Sequence, residues 1–298
     1  RDSNKTATPD LPGEFAGGLV QVNTRDIPTK NQLNVTVSLG YNSQSTFKSF
    51  TSNERSSTTW LGFDGGDRNL PASMPNMVTY RGLPDADKIA ISKDFNGNGY
   101  RERVSTAAPI TTVNMAWSNS KTFKNQGKLG SIISVYYRNA SIIYDDVERG
   151  RFEKSREPIF SGSEVQNRYS VNVGLMANFT YVKGGTKISF RNLVNQVYDE
   201  NYLNRTLDNV GRLQTISLRS NFANQRLLLS SQLEGEHLLS KSRGIKFIWN
   251  VNGSFNSKTQ PDFRTAQFVK SSFAPNSPFT LDEDDSRRFF SDLKDYST

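Results

Sequence analysis

The sequence predicts an all-β protein, an antiparallel up-and-down transmembrane β-barrel. Three observations lead there. Apolar and polar residues alternate over runs long enough to cross a bilayer as tilted strands, which need about 9–11 residues each. No apolar run approaches the ~18 residues of a transmembrane helix, so a spanning structure would have to be a barrel. The connections between the strand runs also alternate between short and long, as in bacterial outer-membrane barrels.

Composition agrees. Of the 298 residues only 35% are hydrophobic, low for a single packed core, while 11% are aromatic, which opposes disorder. Ser, Thr, Asn and Gln make up the difference, as a barrel with an apolar outside and polar inside requires. The net charge of +8 raises nucleic acid as a partner. Lys and Arg are scattered, however, with no basic helix or aromatic RNA motif, so no nucleic acid is expected. The absence of cysteine removes disulfides, thiol catalysis and zinc–thiolate sites. Arg1 to Asp10 is polar and has no signal-peptide character.

In chain order, Gly17 and Gly18 precede the alternating run Leu19 to Thr24, which closes on Arg25-Asp26 and is broken by Ile27-Pro28. Strand runs follow near 32–42, 109–118, 129–139, 166–181, 186–195, 213–238 and 244–256, with another beginning near 288. In the first, Leu33, Val35, Val37, Leu39 and Tyr41 share one face, and Asn34, Thr36 and Ser38 the other. In the fourth, Tyr169, Val171, Val173, Leu175, Ala177, Phe179 and Tyr181 oppose Ser170, Asn172, Gly174, Met176, Asn178 and Thr180. Tyrosines at both ends of its apolar face match an aromatic girdle. A soluble sandwich alternates in the same way. Connection lengths favour the barrel: short near 119–128, 182–185 and 239–243, long near 43–108, 140–165, 196–212 and 257–287. The 213–238 run reads as one long strand or as two with a turn near Asn221 to Asn224. Helical signal is nearly absent, and the acidic Leu281 to Lys294 stretch reads as a loop running into a strand.

FAGGLVQVNTRD resembles the last plug strand of TonB-dependent outer-membrane receptors, with LNVTVSLGY standing where their first barrel strand begins. LGFDGGDRNLP (Leu61 to Pro71), LEGEH (Leu233 to His237) and QPDFR (Gln260 to Arg264) resemble signatures of a large-barrel subgroup of that family. The resemblance implies that residues 1–28 end a plug domain. Residues 29–298 would then give the N-terminal part of a barrel, about 8 of about 22 strands, with long extracellular loops. It makes Gly17, Gly18, Thr24 and Arg25 the plug-to-barrel junction. It further implies a Gram-negative outer-membrane location and substrate binding at the loops and plug. Import would be energised by the inner-membrane TonB complex through a plug segment not in this chain. Outer-membrane lipid and a surface lipoprotein are the implied partners. Val35, Val37, Val171, Val173, Phe247 and Trp249 would face lipid, and Asn34, Thr36, Asn172 and Asn178 the lumen.

One local motif points to metal chemistry. Asp94, Asn96 and Asn98 are spaced i, i+2, i+4 with a glycine next, the opening of a calcium loop. Tyr100 would add its carbonyl and Glu102 a carboxylate, although Ser105 stands where the bidentate glutamate belongs. A plain Asn-Gly turn at a loop tip is the simpler reading of the same residues. The single histidine, His237, points away from Glu234 and Glu236 on a strand and builds no metal site. No phosphate loop or serine nucleophile elbow occurs, and no enzyme is expected. Two other functions fit the same residues. One is a calcium-stabilised, adhesin-like surface β-protein binding glycan or protein. The other is a barrel serving as scaffold for an outer-membrane protein assembly.

Overall fold

The computed structural model describes residues 2–4, 19–21, 27–95 and 101–297. The protein is all-β, with 67% strand against 6% helix. β1 (Asp2–Asn4) pairs antiparallel with β2 (Leu19–Gln21). β3 (Gln32–Gly40) enters the main sheet. The segment 41–109 then leaves it. Its described parts hold the hairpin strand β4 (Ser49–Asn53), a 3-10 turn at Thr59–Leu61, the helices α1 (Met77–Arg81) and α2 (Asp85–Lys93), and β5 (Glu102–Thr106), which pairs with β4. Seven long strands follow: β6 (Ile110–Thr122), β7 (Lys128–Phe152), β8 (Pro158–Lys183), β9 (Thr186–Asn209), β10 (Gln214–Ser240), β11 (Ile245–Ser271) and β12 (Thr280–Ser297).

These seven form an uninterrupted antiparallel meander, and β3 adds to the outer side of β6. The eight-stranded sheet does not close, so β3 and β12 are its two edges. Among the described residues no helix is long and apolar enough to cross a membrane.

Every strand run expected from the sequence is a strand, but most run further. β7 to β11 have 24–27 residues each, a length of about 80–90 Å at ~3.3 Å per residue. The long connections expected at 140–165, 196–212 and 257–287 are therefore mostly strand. They shrink to 153–157, 210–213 and 272–279, and only 41–109 remains long. β12 starts at Thr280, inside the stretch read as a loop, and 214–240 is one strand rather than two.

Two bulges explain part of the difference. Tyr144 pairs with Gln166 but Val147 with Glu164, so β7 carries an extra residue, and Asp146 there takes a positive φ of 53°. Asn221 pairs with Arg264 but Gln225 with Thr259, so β11 carries another, with Asp262 at φ 49°. Pro261 lies in that bulge, where a missing ladder donor is tolerated. Each extra residue shifts the period-2 pattern by one and hides the strand from a sequence reading.

Beyond the first bulge, β8 and β9 approach closely at Gly162. A Cβ there would run into the Thr206 carbonyl oxygen and the Leu207 Cα. Because backbone must move, Gly162→Ala should cost about 1–3 kcal/mol. Urea-induced unfolding followed by tryptophan emission measures it, and a loss below experimental error would contradict this packing.

Candidate functional site

The register fixes which residues share a face across all eight strands. Val35 pairs with Met115, Met115 with Val135, Val135 with Leu175, Leu175 with Val194, Val194 with Leu229, Leu229 with Phe255, and Phe255 with Tyr296. All eight members of this row are apolar or aromatic. One residue along, on the opposite face, the row reads Thr36, Asn114, Tyr136, Gly174, Asn195, Leu228, Asn256 and Asp295. The sheet is thus sided. Its apolar face is left uncovered near the row: Leu33, Val35, Val37, Met115, Trp117, Val135, Leu175, Leu229 and Val251 are all exposed. Soluble monomers rarely leave an apolar surface of this extent open.

The same apolar face is covered further along the strands, away from the tight 184–185 and 241–244 turns. Here the segment 41–109 folds back onto β7 to β10. Phe50 and Ala107 of the segment pack with Ile143, Tyr169, Val171, Tyr198 and Ala223 of the sheet to form the hydrophobic core. Val171 is 0% exposed. It was expected to face lipid, but the chain itself covers it. Val173 is partly buried against the same cluster, whereas Val35, Val37 and Phe247 stay open on the apolar face.

Polar groups fix the segment to the sheet. Glu200 is 2% exposed and receives Arg55 Nε at 2.5 Å, with Arg68 Nη1 at 3.6 Å and Asn221 Nδ2 at 3.3 Å. Arg68 also donates to Asp64 Oδ1 at 2.7 Å and to the Tyr198 hydroxyl. Burial alone would lower the Arg68 pKa, but Tyr198, Glu200 and Asp64 more than reverse this and raise it above the ordinary guanidinium value. The ion therefore stays charged inside the fold. Gln225 Oε1 accepts from Asp64 N at 2.9 Å, Gln196 Nε2 donates to the Gly62 carbonyl at 2.5 Å, and Tyr137 Oη donates to the Trp60 carbonyl at 3.0 Å. The Arg55 guanidinium lies 3.9 Å from the Tyr169 ring centre, a cation–π contact.

On the polar face, at the same end, a second buried carboxylate organises the wall. Glu164 accepts from Arg149 at 2.7 and 2.9 Å and from Arg205 Nε at 2.6 Å, and Gln166 donates to it as well. Arg168 in turn donates to Gln166 at 2.7 and 3.1 Å. Two guanidiniums on one carboxylate, with Arg168 beside them on Gln166, give this group a positive balance. A third cluster sits at the β11 bulge, where Asp262 accepts from Arg264 and Arg288.

Of the residues picked from sequence, Gly17, Gly18, Thr24, Arg25, Asn96, Asn98 and Tyr100 lie outside the described residues. Asp94 is the exposed C-cap of α2. Glu102 begins β5 and already accepts from the Tyr202 hydroxyl at 2.5 Å, with Arg219 Nη1 at 3.2 Å. One of its oxygens is therefore engaged by the sheet. Glu102 also lines a cavity of about 290 Å³ with Tyr202, Arg219, Asn221 and Phe268. No group of three or more potential metal-binding side chains occurs among the described residues.

Arg55, Arg68 and Glu200, which join the cover to the wall, were not singled out by sequence. Arg68 lies inside LGFDGGDRNLP, so a signal existed there, while Glu200 lies in a stretch taken for a loop. His237 stacks on Trp249, and its Nε2 accepts a hydrogen bond from the indole N–H at 3.1 Å. Comparison of the chain with protein-family models, with curated proteins and with solved structures finds no match.

Proposed function

We propose that this sheet is barrel wall in an outer-membrane TonB-dependent receptor. Such a receptor binds a substrate at its extracellular side and imports it with energy from the inner membrane. The row from Val35 to Tyr296 carries the proposal. An apolar row shared by eight neighbouring strands, backed by a mostly polar row, is what a wall between lipid and a wet lumen requires. On this reading the two open edges require further strands to close them, since a sheet cannot end in hydrocarbon with unpaired backbone groups. On the same reading the turns at 123–127, 184–185 and 241–244 lie on the periplasmic side. The covered, charge-rich end is the extracellular side, where the strands rise well past the bilayer. There the Arg149, Arg168 and Arg205 group on the lumen side meets the incoming substrate. A barrel scaffold for an outer-membrane assembly uses the same wall, and dependence of uptake on the inner-membrane energy source separates the two.

Fractionating cells that make the native protein, then comparing boiled and unboiled samples on a detergent gel, tests the proposal. The expected result is outer-membrane location and slower migration after boiling. A protein soluble without detergent and unchanged by boiling would overturn it. The calcium-stabilised surface protein would then lead, to be tested by titrating thermal stability with calcium.

A further inference from the structure

The segment 41–109 lies on the same face of the sheet as the apolar row, and this decides where it sits in a membrane-bound protein. No register shift separates the row from the covered end on β8 and β9, because their pairing is continuous from Phe160/Asn209 to Lys183/Thr186. Val171, under the segment, and Leu175, in the open row, therefore point to one side. If that side faces lipid, the segment is outside the barrel, lying along the outer wall above the bilayer.

On β7 to β9 the part of the segment nearest the open row is its 3-10 turn. The Trp60 carbonyl is held by Tyr137 Oη at 3.0 Å and the Gly62 carbonyl by Gln196 Nε2 at 2.5 Å. Tyr137, Val173 and Gln196 form the row immediately beside Val135, Leu175 and Val194. The turn is thus anchored only two residues, about 7 Å along the strand, from the open apolar row. Its side chains are out of keeping with a water-facing loop: Trp60 is 56% exposed, Leu61 37% and Phe63 44%. Tyr41, where the chain leaves β3 on the same side, is exposed as well. Tryptophan and tyrosine favour the headgroup level of a bilayer, where a ring can be half apolar and half wet.

We infer that the Trp60-Leu61-Gly62-Phe63 turn is a membrane-interface anchor, seating the extracellular cover on the lipid around the barrel. This rests on the membrane reading of the apolar face. Its occupant is lipid rather than a protein partner, because the patch continues directly into the surface assigned to the bilayer. Anchored in this way, the cover is held at two ends, by Glu200 in the wall and by lipid below.

The chain contains three tryptophans, Trp60, Trp117 and Trp249, which supplies an internal control. Trp117 is exposed within the open apolar surface, paired with Leu33. Two forms of the full-length protein would be made, each keeping one tryptophan, Trp60 or Trp117, with every other replaced by phenylalanine. Both are checked for heat-modifiable mobility and reconstituted in phosphatidylcholine bilayers brominated near the headgroup end of the acyl chains. Loss of Trp60 emission matching that of Trp117, with little further loss on adding aqueous acrylamide, is the expected result. Quenching of Trp117 by the brominated lipid, but of Trp60 only by acrylamide, would overturn the anchor and leave the membrane reading intact. Quenching of neither by lipid would overturn the membrane reading, and the anchor with it.

Discussion

Leu175→Arg is expected to cost about 2–4 kcal/mol of folding free energy in a bilayer. Leu175 is 42% exposed, at the middle of the apolar row and beyond the edge of the cover. In water, an arginine at such a site would be nearly free, within about 0.5 kcal/mol. In hydrocarbon its charge must be dragged to an interface, and that cost is the signature of the solvent on this face. The matched control is Asn195→Arg, on the opposite face one residue along the partner strand, where a wet lumen should accept it with little loss. Urea titration of folded barrel in lipid vesicles, read by gel mobility, compares the two. Equal, small losses at both positions would mean that the apolar face is not in lipid.

Glu200→Ala should release the cover. It removes the shared partner of Arg55 and Arg68, leaving Arg55 without a carboxylate and Arg68 with Asp64 alone, where loss of one partner from comparable buried pairs costs about 3–5 kcal/mol. Arg55 keeps some solvent access, so the lower end applies. If cleavage within 41–109 follows the opening of the segment, ~3 kcal/mol raises its rate on the order of a hundredfold. Limited proteolysis, with the sheet followed separately by gel mobility, measures this. A double replacement, Arg55→Met with Glu200→Leu, which keeps the Arg68–Asp64 pair, should restore most of the protection, since an apolar pair replaces a buried ion pair at little or no cost. Unchanged cleavage in Glu200→Ala would show that the apolar contacts of Phe50 and Ala107 suffice.

The part of the sheet whose apolar face is open was legible in the sequence, and the rest was hidden for one physical reason. From Leu33 to Leu39 and from Val173 to Tyr181 one face of the sheet is largely apolar and the other largely polar, so the residues alternate along the chain. Past Val171 both faces are polar or are covered by the chain itself. Tyr198, Glu200 and Tyr202 alternate with Asp199 and Asn201 on β9, and nothing in that pattern names a strand. Their partners in the 41–109 segment are a hundred or more residues away, as with Arg55 and Glu200, and local reading cannot see them. The bulges at Asp146 and Asp262 compounded the effect. α1 and α2 were missed although their entry signals are ordinary. The Asn76 side chain accepts from Thr79 N at 2.9 Å, and Pro84 precedes Asp85 and Asp87 in a first turn. Neither helix buries a residue, so no apolar period marked them. The candidate site was the least legible part, because it consists of long-range pairings rather than a motif.

The connectivity of the sheet has a consequence for how it assembles. From β6 to β12 every strand pairs with its neighbour in sequence, so each step closes a hairpin with a loop of a few residues. Such steps lose little chain entropy and proceed quickly. Adding β3 to β6, by contrast, requires closing the whole of 41–109, and docking that segment requires β7 to β10 to be in register already. Glu200, Tyr198 and Gln196 on β9, together with Gln225 on β10, become a binding surface only after their strands have paired. The cover is therefore the last element to find its place, a latch that closes on a finished wall and marks it as finished.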